Sequence, residues 1–82
     1  MLVYYMYRDK TQWRRSSLRL GEYEYQALVD ICQRLNMSPT SFVESCKVRY
    51  KKEESNFTSY VKNEVVKQLL KEKSNDNNAT NG

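Results

Sequence analysis

Residues 14–20 read Arg14-Arg15-Ser16-Ser17-Leu18-Arg19-Leu20, and their period is two. Ser16, Leu18 and Leu20 fall on one side, while Arg15, Ser17 and Arg19 fall on the other. The stretch predicts one short β-strand with a core-facing side and a basic, polar side. A lone strand leaves its backbone groups unsatisfied, so it requires a pairing partner. Upstream, residues 1–13 are set apart as an N-terminal arm in which Tyr4, Tyr5, Tyr7 and Trp13 stand among basic residues. That composition leaves a short strand and a loose arm both open.

Downstream the period changes. Leu28, Ile31, Cys32 and Leu35 stand at i, i+3, i+4 and i+7, with Tyr25 one turn earlier, which predicts a helix over residues 22–35. Glu22 and Glu24 suit its positive N-terminal end, and Asn36 tolerates the left-handed conformation that ends helices. Ser38 is a favoured N-cap, and Pro39 in the next position has no amide proton to leave unsatisfied. A second helix is therefore expected from Pro39 to about Lys52, with Phe42, Val43, Cys46 and Tyr50 inward. Beyond Ser55-Asn56, the residues Phe57, Tyr60, Val61, Val65, Leu69 and Leu70 predict a third amphipathic helix ending near Lys73. Residues 74–82 (SNDNNATNG) are polar and low in complexity, and they predict a disordered tail.

The whole chain has 82 residues, 14 basic against 10 acidic, with no histidine. A single domain of this size is marginal unless disulfides, metal or a second subunit supports it. Two cysteines without histidine make a poor zinc site, and Cys32 and Cys46 each stand in an apolar helical pattern, so both are expected as small buried hydrophobes. Association is the remaining route to stability. The charge is uneven: Arg8, Lys10, Arg14, Arg15 and Arg19 face only Asp9 in the first twenty residues. Such a basic segment suits a polyanion. No run approaches the roughly 18 apolar residues needed to cross a bilayer, and the segment Leu2 to Tyr7 is a poor signal-peptide core. A cytoplasmic location without a membrane partner is expected.

A basic strand, a helix, a tight turn and a capped helix, in that order from Arg14 to Lys52, resemble the ribbon-helix-helix family of DNA-binding repressors, the MetJ/Arc/CopG-like class. The resemblance rests on RRSSLRL, on YQALVDICQRLNMSPTSFV and on Tyr50. It implies a mainly α fold in which one short strand pairs across a homodimer above two core helices, here with a third C-terminal helix. It further implies a sequence-specific double-stranded DNA-binding protein, a transcriptional repressor whose dimeric ribbon enters the major groove. Arg15, Ser17 and Arg19 would then touch base edges. Arginine can grip guanine O6 and N7 together, and serine can donate or accept. Ser38, Thr40 and Ser41 at the start of the second helix, with Arg14, would contact phosphate.

The chain thus divides into an arm (1–13), a DNA-binding ribbon-helix-helix domain (14–54), an amphipathic helix (55–73) and a tail (74–82). The helix over 55–73 is expected to pack on the dimer, join dimers into a higher oligomer or hold a protein partner. Trp13 is expected either to cap the core at the ribbon's end or to lie against the DNA backbone with Arg14. Lys47, Arg49, Lys51 and Lys52 are expected on a solvated helix face. Without histidine, a glycine-rich phosphate loop or a paired-acid cleft, the chain offers no catalytic constellation. It is expected to be no enzyme and to need neither cofactor nor metal. Two alternative readings are an antitoxin or plasmid partition or relaxosome accessory protein of the same fold, and a helical protein-interaction module that binds no DNA.

Overall fold

The segment Leu2–Asp9 carries valine, three tyrosines and methionine, residue types that fit a pleated and half-buried surface. In the computed structural model, which describes residues 1–52 and 56–81 and the side chains through Lys73, it forms strand β1 (Leu2–Asp9). Strand β2 (Gln12–Arg19) follows after two loop residues and pairs with it antiparallel. The register sets Val3 opposite Leu18, Tyr5 opposite Ser16 and Asp9 opposite Gln12. Met1 and Leu20 close the open end by exchanging backbone bonds of 2.8 and 2.9 Å.

This hairpin corrects the expected architecture. The strand of residues 14–20 does not lack a partner within its own chain, so the ribbon-helix-helix arrangement, with one strand paired across a homodimer, does not hold. The physical reason is local. Closing a two-residue loop costs far less chain entropy than recruiting a second molecule, and the β-prone tyrosine segment lies immediately upstream. Lys10, the first loop residue, has φ 59°, the positive value that fits a short hairpin loop to the right-handed twist of its strands.

Three helices follow: α1 (Glu22–Leu35), α2 (Pro39–Arg49) and α3 (Phe57–Asn81). Their ends obey the local chemistry. Gly21 N–H donates to Glu24 Oε1 (2.7 Å); Asn36 ends α1 at φ 57°, ψ 48°, with Met37 N–H donating to Cys32 O. Ser38 Oγ accepts from Ser41 N–H (3.1 Å) ahead of Pro39, and Asn56 Oδ1 accepts from Ser59 N–H (2.8 Å). Helix α2 stops at Arg49, before the expected Lys52, because Tyr50 turns extended and sets its ring against Phe57 and Tyr60. Helix α3 continues past Lys73 to Asn81, through residues whose composition predicts a disordered tail.

The core joins all five elements. Val3, Tyr5, Leu18 and Leu20 from the hairpin meet Leu28, Ile31 and Cys32 of α1, Phe42, Val43 and Cys46 of α2, and Val61 and Val65 of α3. Both cysteines are free and buried, as small hydrophobes. Burial pushes both thiols up, that of Cys46 to about 11. Leu35, Leu69 and Leu70, expected inside, remain exposed. No helix among the described residues is long and apolar enough to cross a membrane.

Candidate nucleic-acid interface

Only one face of the hairpin packs on the helices. The other carries four cross-strand pairs: Leu2 with Arg19, Tyr4 with Ser17, Met6 with Arg15, and Arg8 with Trp13. All eight residues are exposed. Three are arginines, none is acidic, and among the described residues Arg8, Arg15 and Arg19 make no ion pair. Trp13 is 65% exposed and Tyr4 49%. Large aromatic surface left in water beside unpaired guanidinium groups is the feature that sets this face apart.

The period-two reading of residues 14–20 places its polar side correctly. Arg15, Ser17 and Arg19 share the outer face, while Leu18 and Leu20 point into the core and half-buried Ser16 lies beneath the sheet. Arg14 points the other way, at the hairpin's far end, where its Nε pairs with Asp9 Oδ2 (2.8 Å). The structure therefore separates Arg14 from the other three arginines. Trp13 stands on the outer face and does not cap the core.

Arg15 has the most defined setting. Its guanidinium carbon lies 4.9 Å from the centroid of the Tyr4 ring, the diagonal cross-strand neighbour that long side chains can reach. Tyr4 is tied at the strand edge: its carbonyl accepts a hydrogen bond from Thr40 Oγ1 (3.1 Å). One turn along α2, Glu44 Oε2 accepts from Met6 N–H (2.8 Å). These two bonds satisfy groups on the open edge of β1 and fasten α2 along it. A groove along the hairpin and α2 is lined by Met6, Tyr7, Arg8, Trp13, Glu44, Lys47 and Val48.

The hydroxyls expected to meet phosphate have internal partners. Ser38 Oγ caps the helix and donates to Ser41 Oγ (3.0 Å), and Thr40 holds Tyr4. What the first turn of α2 presents beside β1 is its positive end rather than three free hydroxyls. Of the basic residues expected on a solvated face, Arg49, Lys51 and Lys52 are exposed, and Lys47 differs. Lys47 is not on a solvated face; its ammonium sits among the rings of Tyr7 (4.8 Å), Tyr50 (5.3 Å) and Phe57 (4.6 Å). Arg49 donates to Ser45 Oγ (2.7 Å) and lies 3.8 Å from Glu64 Oε1.

Sequence reading missed Arg8, Tyr4, Met6 and Leu2 as members of the outer face. Leu2, Tyr4 and Met6 alternate with Val3, Tyr5 and Tyr7, and because both sets are apolar or aromatic the period of two has no contrast. The charge of Arg8, which continues the alternation of Leu2, Tyr4 and Met6, was a signal available in the sequence. No family model, curated protein or solved structure matches the chain.

Proposed function

We propose that the chain is a sequence-specific double-stranded DNA-binding protein, a transcriptional regulator, which sets the outer face of its own hairpin into the major groove. The observation that carries this is an exposed two-stranded face with no acid and with three arginines that make no ion pair among the described residues. A two-stranded ribbon fits the width of the major groove. In this reading Arg15, Ser17 and Arg19 meet base edges, Arg8 adds to them from β1, and the start of α2 at Ser38, Thr40 and Ser41 faces a phosphate beside the ribbon. The likeness of residues 14–52 to ribbon-helix-helix repressors lies in the order of elements alone, so the proposal stands on the chemistry of the face.

A second reading concerns α3. Val66, Leu69 and Leu70 are exposed at 50%, 39% and 61%, and Val66 and Leu69 border an apolar groove floored by Leu20, Ala27, Val61 and Val65. With β2 paired inside the chain, this face gives a reason for self-association or for a protein partner at residues 55–73. Sedimentation at micromolar concentration, with and without Leu69→Lys, checks it; a monomeric parent removes self-association.

DNA binding is tested by titrating the full chain against random duplex at rising salt, followed by selection of bound duplexes from a random pool. Affinity should fall steeply with salt, because releasing counterions into a more concentrated solution gains less free energy. On the selected duplex Arg19→Ala should cost about 1–3 kcal/mol and relax one base preference. Affinity indifferent to salt, or absent at low salt, sinks the proposal.

A further inference from the structure

Three arginines share the outer face, and they are not equivalent. A free arginine side chain samples many rotamers, so contact with a base must first order it. Arg15 lies against the Tyr4 ring at 4.9 Å, whereas Arg8 and Arg19 have no ring contact of this kind among the described residues. Tyr4 itself has little freedom at the backbone: it is paired opposite Ser17 in the sheet, and its carbonyl is held by Thr40 at the start of α2. The sequence of contacts runs from the helical body through Thr40 to Tyr4, and from Tyr4 to Arg15. A guanidinium held over a ring face spends none of its N–H donors on a hydrogen bond there, so they stay available for a paired contact with guanine.

We infer that Tyr4 is the positioning residue for Arg15, and that Arg15 is the principal base-discriminating side chain of the face. This rests on the duplex-binding reading and assigns a role within it. Thr40, which sequence reasoning places at a phosphate, belongs to the same support.

The test uses the full chain with Tyr4→Leu, Tyr4→Phe, Arg15→Ala and the double variant Tyr4→Leu/Arg15→Ala. Each is titrated against the duplex selected by the parent and against random duplex. Tyr4→Leu should lower the ratio of selected to random affinity about two- to five-fold, the scale of an exposed cation–π contact. Tyr4→Phe, which keeps the ring, should restore the ratio. In the Arg15→Ala background Tyr4→Leu should add no further loss, because Tyr4 acts through Arg15. Without DNA, the Arg15 Nε proton should be shifted upfield by the ring in the parent and in Tyr4→Phe, and should return to an ordinary position in Tyr4→Leu. An unchanged ratio in Tyr4→Leu, an additive loss in the double variant, or an unshifted Arg15 proton overturns the inference while leaving duplex binding intact. If Arg15→Ala and the parent bind both duplexes alike while Arg19→Ala loses discrimination, Arg15 is not the reader and the inference fails alone. If the parent does not bind duplex at all, both fall together.

Discussion

Strand β1 has two faces built from nearly the same residues, and they end in opposite environments. Val3, Tyr5 and Tyr7 lie beneath the sheet, with Tyr5 5% exposed and packed on Phe57 at 5.3 Å. Leu2, Tyr4 and Met6 lie above it, each more than 40% exposed. Side-chain hydrophobicity does not explain the division. It is explained by where the helices pack, and that is decided on β2 and the residue after it, where Leu18 and Leu20 are apolar on one side and Arg15 and Arg19 are charged on the other. The unambiguous strand thus assigns the faces of its ambiguous neighbour.

The largest test of this contrast substitutes equivalent residues on the two faces. Tyr5→Ala removes a buried ring in contact with Tyr7 and Phe57 and should destabilise by about 3–5 kcal/mol. Tyr4→Ala, one residue away, should cost less than about 1 kcal/mol. Urea unfolding of both variants checks the pair; similar midpoints would mean that the hairpin does not pack on α3 through its inner face.

Lys47 provides the next test, because its ammonium joins three elements at the inner face: Tyr7 of β1, Tyr50 after α2 and Phe57 of α3. Lys47→Met keeps the apolar stem and removes the charge. A loss of about 1–2 kcal/mol is expected for a partly desolvated cation among rings, against no measurable change for Lys51→Met. Equal stability of the two variants would reduce the ring cluster to ordinary packing.

Faces are assigned only while the register holds, since a slip of one residue would exchange them. Lys10 protects the register by accepting a positive φ in the loop. Lys10→Gly relieves the strain on the β-carbon and should stabilise by up to about 1 kcal/mol, whereas Lys10→Val should destabilise by about 1–2 kcal/mol. Thermal unfolding distinguishes them, and a stabilising valine would show that the loop adopts another conformation.

The smallest effect concerns the helical layer on which the inner face rests. Glu24 accepts from Gly21 N–H and pairs with Lys62 Nζ (3.1 Å), joining α1 to α3. The Gly21 hydrogen bond first, and Lys62 second, hold its carboxyl below the ordinary value of 4.5. A depressed carboxyl contributes stability above its unfolded value, and this is lost as pH falls through the folded value. Stability should therefore decline below about pH 4.5, the ordinary value of the group, and Glu24→Gln should flatten that decline. An unchanged acid limb would show that the contact carries no stability.

By itself the sequence determined whatever depends on near neighbours. Period two in residues 14–20 identified the strand and both its sides, including Arg15, Ser17 and Arg19 on the outer one. Asn36, Ser38 and Pro39 marked the turn between α1 and α2, because capping is chemistry within one helical turn. Burial of Cys32 and Cys46 followed from helical spacing. Tertiary structure decided the rest. The alternation in LVYYMY has no polar contrast, so only pairing with β2 shows which tyrosine is covered. Arg14 and Arg15 are adjacent in sequence and opposite in space, and Asp9 claims one of them across the hairpin. Lys47 looks like a solvated lysine until β1 and α3 bring Tyr7 and Phe57 to it. A strand's need for a partner is legible from a single segment, but which segment meets that need depends on comparing loop closure within the chain with association between chains. Here the two-residue loop at Lys10 is the shorter path.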